Sequence, residues 1–312
     1  MSDPTASVIL IAFGAATALL IAGTIVRQFS AARAIRESRG DDSSPQTAEA
    51  SGVFPYYPPI SSPPPLPDDY FQKIPTSFYR RFDLLGVGAL IAVFLLMALS
   101  SIQAGKDPSL KITPDSLVIS IVFQFVLAGI VTAVVATRMP VRRWLGLRWE
   151  KWPWIFLIAP ACVVFMWVIF GGLQAFGYME WIQSLGAEPA QEAVKLLQTS
   201  NDPWTLGLMA LAAVIVAPLC EEIVFRGYLY PVAKKYAGPW IAAIFSAVVF
   251  SCAHGNLMAL FPLALLGLLL VFLYEKTGSI WSVIAVHFCF NGATVLIQIL
   301  DRFYHFIPKD AL

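Results

Sequence analysis

Long apolar segments recur along almost the whole chain and are separated by short polar stretches. Several reach about 20 residues, the length that a helix needs to cross the hydrocarbon core of a bilayer. A segment that crosses lipid must satisfy its own backbone hydrogen bonds, so each one is predicted to be a helix. The predicted spans are Val8 to Val26, Leu84 to Ile102, Leu117 to Thr137, Pro153 to Phe176, Leu206 to Cys220 with its continuation, Trp240 to Ala253, Leu257 to Tyr274 and Ile280 to Leu300. The pattern predicts an all-α, polytopic membrane helix bundle with about eight transmembrane helices.

The composition agrees with lipid as the main solvent of the fold. Of the 312 residues, 58% are hydrophobic and 13% are charged, whereas about a quarter of the residues in a soluble domain are charged. The net charge of +1 indicates no nucleic-acid partner. The four cysteines lie in apolar segments without CxxC spacing, which argues against a zinc knuckle or a disulfide framework. The sequence has no glycine-rich phosphate-binding pattern, so ATP-driven transport by this chain alone is not expected.

Changes in composition divide the chain into five predicted regions. They are 1–27, an N-terminal membrane anchor helix; 28–82, a cytoplasmic Pro-rich linker; 83–203, the N-terminal helices of the membrane bundle; 204–302, the helices that carry the chemistry; and 303–312, a tail. The prolines of the linker cannot lie inside helices. A tether between the anchor and the bundle is the favoured interpretation, and docking of a partner is the alternative.

The basic residues indicate an orientation. The cluster from Arg27 to Arg39 follows the first span, so the positive-inside rule places it in the cytoplasm and the N-terminus outside. Alternation of the spans brings the cluster from Arg138 to Lys151 and the pair of Lys234 and Lys235 to the same side. Two lysines in the loop after the second span fall on the outer side and count against this orientation.

Polar residues whose side chains could take part in a reaction cluster at three places within the predicted spans. Each ionisable group there costs at least about 2.5 kcal/mol to insert, so each calls for an explanation. Residues four apart share one face of a helix. The clusters are Glu221 and Glu222 with Arg226, then His254, and then His287 with Asn291. Glu222 can therefore pair with Arg226, and a structural ion pair is the favoured interpretation. On the last helix, His287 and Asn291 lie on one face and can present a ring nitrogen and an amide to the same group.

Glu221 differs from its neighbour, because no basic residue lies three or four positions away on its own helix. Its partner must come from another helix or from water in a cavity. Pro218 lies just before it and would free a backbone carbonyl and kink the helix, which can admit water. The alternative is a kink that serves helix packing alone.

Three motifs carry these residues: Glu-Glu-x-x-x-Arg at 221–226, Phe-x-x-x-His at 250–254 and His-x-x-x-Asn at 287–291. Together they resemble the signature motifs of the CAAX prenyl protease and bacteriocin-processing family, also called the Abi or CPBP family. All three are complete and stand in the family's order. The resemblance covers roughly Trp204 to Leu300 and, more loosely, the helices from Leu84 onward.

The resemblance implies an intramembrane endopeptidase whose catalytic residues are Glu221, His254, His287 and Asn291. Glu221 and His254 would activate a water molecule, and His287 with Asn291 would stabilise the oxyanion. Amide hydrolysis needs a base, donors for the developing negative charge and a proton for the leaving amine, and these residue types supply all three. Glu222 and Arg226 would orient the site from behind it.

The same residues leave open whether a metal cofactor takes part. If a divalent metal such as zinc takes part, Glu221, His254 and His287 would be its ligands, with water as the fourth. The HExxH helix is absent and Asn is an unusual zinc ligand, so a metal-free mechanism is favoured. No cofactor is assured.

The predicted partners are the lipid bilayer and a peptide or protein substrate, either CAAX-type or bacteriocin-like. One rival is a proton-coupled transporter that passes protons through Glu221, His254 and His287, but no inverted repeat supports it. Another is a non-catalytic membrane scaffold or immunity protein. The predicted location is an integral, multi-pass membrane protein, and a bacterial inner membrane is favoured over a eukaryotic endomembrane.

Depth in the membrane is the remaining difficulty for a single site. Simple alternation places His254 near the outer end of its helix and Glu221 toward the inner half of a long one. A tilt, or a re-entrant turn at Gly255 and Asn256, must bring them together.

Overall fold

The computed structural model describes residues 4–40, 74–106, 112–186 and 192–304. These residues form helices and no strands. Seven helices in this part of the chain are long and apolar enough to cross a membrane, which confirms an all-α polytopic membrane bundle. The Pro-rich segment, with its possible docking role, and almost all of the tail lie outside the described residues.

The first half of the bundle contains four long helices and several short ones. They are α1, Pro4–Gly40; α2, Asp83–Lys106; α3, Pro114–Ala136; α4, Val141–Trp144; α5, Ile155–Ala175, entered through a 3-10 turn at Trp152–Trp154; α6, Tyr178–Ser184; and α7, Glu192–Thr199. Helix α1 continues into residues that were predicted to begin the linker. The segment from Arg27 to Gly40 is rich in Ala and Arg, which are good helix formers, and contains no proline.

The helical stretch from Pro203 to Ala237 is irregular. Its parts are α8, Pro203–Leu211; a π-helical segment, Ala212–Val216; α9, Ala217–Glu222; a second π-helical segment, Ile223–Leu229; and α10, Tyr230–Ala237. We call the whole stretch the site helix. π-Helical segments are rare and are often found at functional sites. The two glutamates at 221 and 222 lie between the two segments, at the end of α9.

The last three helices are α11, Pro239–Ala253; α12, Leu257–Thr277; and α13, Ile280–Tyr304. Helix α11 was predicted to span the membrane, but its 15 residues give a length of only about 22 Å, short of the roughly 30 Å hydrocarbon core. Gly255, with φ +64°, turns the chain after it, and the Asn256 side chain caps α12 by accepting from Ala259 N–H at 2.9 Å. His254 lies directly after this short helix and lines one cavity together with Glu221.

Contacts made by α1 can be compared with the orientation that the basic residues predict. Arg27 Nη1 donates to the carbonyl oxygen of Lys234 at 3.4 Å, so two of the predicted cytoplasmic basic clusters lie at one end of the bundle. At the opposite end, Pro4 approaches Gly186. The predicted alternation of spans agrees with this arrangement.

Candidate active site

Glu222 and Arg226 form the buried centre of the site, and both side chains are fully inaccessible to solvent. Arg226 Nη1 donates to Glu222 Oε1 at 3.0 Å, as their spacing predicts. The same oxygen lies 2.8 Å from Nδ1 of His287 on α13. Arg226 Nη2 donates to the carbonyl oxygen of Gly267 on α12 at 3.2 Å, and its guanidinium lies 4.6 Å from the centre of the Phe250 ring on α11. This cluster therefore joins the site helix to the last three helices.

His254 follows the last residue of α11, and its tautomer is fixed by the backbone. Its Nδ1 lies 2.8 Å from the carbonyl oxygen of Phe250. A carbonyl can only accept, so Nδ1 carries the hydrogen, and Nε2 of the neutral ring keeps a free lone pair. The Phe250 ring stands edge-on to both histidine rings, at centroid distances of 5.0 Å from His254 and 5.8 Å from His287. Phe250 thus orients His254 and separates the two imidazoles.

Asn291 binds a carbonyl that Pro218 leaves without a backbone donor. In the first π-helical segment, Ala217 N–H bonds to Ala212 O, five residues earlier. The next N–H in that register would come from residue 218, and proline has none to offer to Ala213 O. Asn291 Nδ2 donates to this oxygen instead, at 2.8 Å. The second Nδ2 hydrogen of Asn291 remains for a ligand.

Glu221, His254 and Asn291 line one cavity of about 570 Å³. They come from the site helix, the end of α11 and α13, and they meet in a space of the size typical of ligand pockets. Most of the remaining lining is apolar, with Trp167 of α5 and Leu197 of α7 among its residues. We call this space the main cavity.

His287 is placed differently from the other three predicted catalytic residues. It is 2% exposed and is not among the residues that line the main cavity. Its Nδ1 is engaged by Glu222, so only Nε2 is left for a substrate. The structure therefore groups His287 with the buried Glu222 and Arg226 cluster.

Glu221 also borders a smaller cavity of about 320 Å³, which α2 and α3 form with the site helix. Its Oε2 is buried and has no hydrogen-bond partner among the described residues. Buried polar atoms are normally paired with protein or ordered water, and Glu222 Oε2 also has no partner among the described residues. The two glutamates differ in position: Glu221 borders both cavities, whereas Glu222 is fully buried and bonded to Arg226 and His287.

The predicted zinc ligands are not gathered at one point. Among the described residues, no group of three or more His, Cys, Asp or Glu side chains is placed to hold a metal ion. Glu221 and His254 share the main cavity, but His287 is turned to Glu222. A structural or catalytic zinc site needs at least three protein ligands around one centre, so the residues as placed do not fit the predicted set.

Comparison with known proteins matches the region of the chain that carries these residues. Residues 203–293 match the family described as Type II CAAX prenyl endopeptidase Rce1-like, and the match includes all three motifs. The C-terminal region of this chain is therefore similar to that family, as the three motifs predict. A Bacillus subtilis (strain 168) relative named "Putative membrane peptidase YdiL" is 32% identical over 92 residues, which are 30% of this chain and 38% of the relative. No solved structure matches the chain.

Helices α1 to α7 lie outside the Rce1-like match, and one polar residue there was not among the predicted site residues. Gln124 of α3 lines the smaller cavity with Glu221, and its Oε1 is likewise buried without a partner in the described structure. The available signal was an amide inside an apolar span, and polar side chains in lipid are costly unless they are bonded. Because an amide is not ionisable, Gln124 was not among the candidates that ionisable groups supplied.

Proposed function

We propose that this chain is an intramembrane endopeptidase that hydrolyses a peptide bond of a membrane-associated substrate. The observation that carries the proposal is the meeting of Glu221, His254 and Asn291 in the main cavity, within the region that matches the Rce1-like family. The bilayer and a peptide are the proposed partners. The similarity to a Bacillus protein supports a bacterial inner membrane as the location.

Glu221 is the proposed general base. Its carboxylate borders the main cavity and takes a proton from water as the water oxygen attacks the carbonyl carbon of the substrate. His254 Nε2 carries a lone pair when the ring is neutral and accepts the second hydrogen bond of that water, which aligns it for attack. Glu221 then passes the proton to the nitrogen of the leaving amine.

Asn291 is the proposed oxyanion donor. One of its Nδ2 hydrogens is used on Ala213 O, which fixes the amide plane and leaves the other for the developing negative charge. His287 lies outside the main cavity, so we propose that it supports the oxyanion site indirectly. Glu222 Oε1, at 2.8 Å from Nδ1, holds its ring in the buried cluster.

The lining of the main cavity indicates the kind of peptide that would fit. Apart from Glu221 and His254, its residues carry no ionisable side chain, and most are apolar. We propose that the residues flanking the cleaved bond are apolar, as in a membrane-delivered peptide. CAAX-type and bacteriocin-like substrates both meet this requirement.

The test is cleavage of a panel of membrane-anchored peptides, some of them with a prenylated CAAX box, by protein purified and returned to lipid. Wild type, Glu221→Gln and His254→Ala are compared with and without a chelator. We expect turnover by wild type that both variants lose and the chelator leaves unchanged. Absence of cleavage by folded wild-type protein would contradict the proposal and favour a transport or scaffold role. Loss with chelator would overturn the metal-free mechanism alone.

A further inference from the structure

Three polar residues of α13 line the main cavity: Asn291, Thr294 and Gln298. They lie three and four residues apart, so they follow one another along one face of the helix. The lining that α5 and α7 contribute consists of aliphatic and aromatic side chains, among them Trp167 and Leu197. Within the part of the cavity that these three helices form, the amides and the hydroxyl therefore come from α13.

The amide of Gln298 is held by a residue of α7. Gln198 Nε2 donates to Gln298 Oε1 at 2.8 Å. Gln298 Nε2 carries two hydrogens, and neither is bonded within the described part of the chain. Unlike Gln124 Oε1, this nitrogen is not enclosed away from solvent, so a molecule in the main cavity can reach it. If donor and acceptor are exchanged within the pair, Gln298 still keeps one free N–H.

A peptide in the main cavity needs partners for its backbone groups. An extended segment cannot pair these groups with one another, and the walls from α5 and α7 offer few partners. From Asn291 to Gln298 the helix advances about 10 Å, at 1.5 Å per residue. An extended peptide covers this distance in about three residues. A substrate whose scissile carbonyl lies at Asn291 therefore brings the carbonyl of its second or third flanking residue to Gln298.

We infer that Gln298 is a substrate-binding residue, which donates from Nε2 to this backbone carbonyl and so sets which bond of the peptide reaches Glu221. Gln198 is the positioning residue that holds the amide. The inference rests on the proposed peptidase function and extends it to a residue beyond the family match, which ends at residue 293. Because the contact is to the backbone, it selects an extended apolar segment rather than particular side chains.

The position of Gln298 also gives the direction of the bound flank. Helix α13 begins at the end of the bundle that carries basic residues, since Ile280 N–H donates at 2.9 Å to the carbonyl oxygen of Leu145, shortly after Arg142 and Arg143. Gln298 lies near the other end of α13. The flank that it binds therefore runs from the site away from the basic end of the bundle.

The kinetic test uses two series of peptides, in which a sequence that wild type cleaves is extended one Leu or Ala at a time on its amino or its carboxyl flank. Gln298→Met keeps the approximate length of the side chain and removes its N–H groups. We expect the ratio of kcat/KM between wild type and this variant to be near one for the shortest peptides. In one of the two series it should rise about three- to tenfold once the second or third residue is present, which corresponds to one neutral hydrogen bond.

Gln174→Met on α5 is the matched control, because Gln174 is exposed and lines neither cavity. Its ratio to wild type should stay near one at every length. A ratio for Gln298→Met that is the same at all lengths, in both series, would overturn the inference and leave the peptidase proposal intact. If wild type cleaves no peptide, the proposed function has failed instead, and the binding of peptide at Gln298 is judged by a measurement that needs no activity.

That measurement is disulfide cross-linking, in a chain whose four native cysteines are replaced by alanine. Gln298→Cys is compared with Leu296→Cys, which lies on the same helix but is 56% exposed and outside the cavity lining. The probe is a Leu/Ala peptide with a single cysteine, in lipid vesicles. We expect an excess of the same peptide without cysteine to block the cross-link at position 298 and to leave the one at 296 unchanged. A cross-link at 298 that the competitor does not reduce, or none at all, would overturn the inference.

Discussion

Asn291 Nδ2 donates to the carbonyl oxygen of Ala213 at 2.8 Å, across the interface between α13 and the site helix. The carbonyl is available because the residue that would have donated to it in the π-helical register is Pro218. In the second π-helical segment, the carbonyl oxygen of Gly227 accepts from Tyr79 Oη at 2.6 Å and from Trp144 Nε1 at 2.8 Å. Each π-helical segment of the site helix thus has a carbonyl oxygen that a side chain of another element binds.

Replacement of Pro218 by alanine tests this relationship. The substitution supplies an N–H that competes with Asn291 for Ala213 O, so we expect a more regular helix and a freely rotating Asn291 amide. Thermal stability should stay the same or rise, while kcat falls about tenfold because the oxyanion donor loses its fixed orientation. The control is Pro203→Ala at the first turn of α8, where proline is tolerated and no site residue depends on it. A fall in kcat for the control as well would contradict the explanation.

Replacement by glutamine should affect a different property at each of the two adjacent glutamates: the catalytic rate at Glu221 and the stability at Glu222. Glu221→Gln removes the proposed base, so we expect kcat to fall about 10²- to 10⁴-fold with little change in melting temperature. Glu222→Gln leaves the buried Arg226 charge without its partner, which typically costs about 3–5 kcal/mol, so the melting temperature should fall clearly. Both are measured on purified protein in the same lipid. Similar stability of the two variants would contradict the division of roles.

Gly146 is predicted to be essential for joining the α4 loop to the turn between α12 and α13. A Cβ at this position would overlap the carbonyl oxygen of Gly278, and the backbone has φ +57°. Gly177 has a similar φ of +74°, but its nearest atom would be 3.8 Å away. Gly177→Ala should therefore cost only the conformational penalty of about 1–2 kcal/mol, and Gly146→Ala clearly more. Chemical unfolding of the two variants measures the difference, and equal losses would show that the contact is unimportant.

Asp202 predicts a pH dependence at the start of the site helix. It caps α8, and hydrogen bonds from the Thr205 side chain and backbone, with a further one from Trp204 N–H, hold the pKa of its carboxyl below the usual value. A pKa depressed in the folded state gives stability that is present above the unfolded-state pKa and is lost as pH falls through the folded-state pKa. Asp202→Asn keeps a capping side chain without the charge. We expect the melting temperature of this variant to fall less than that of wild type on acidification below about pH 4; parallel curves would contradict this assignment.

The sequence by itself determined the features that depend on local periodicity and chemical type. Apolar runs set the spans, and the spacing from Glu222 to Arg226 placed an ion pair on one helix face, since helical geometry repeats every few residues. The missing N–H of Pro218 was enough to predict a freed carbonyl. These inferences need no knowledge of how the helices pack.

Only the tertiary structure decided which groups from different helices meet. It turned His287 toward Glu222 and outside the lining of the main cavity, gave the freed carbonyl of Ala213 to Asn291, and placed Gln124 of α3 beside the smaller cavity that Glu221 also borders. It also ended α11 at Ala253, so that His254 lines the main cavity with Glu221. Such contacts depend on the rotation, tilt and depth of each helix, which result from the packing of the whole bundle and are not encoded in the spacing of any one segment.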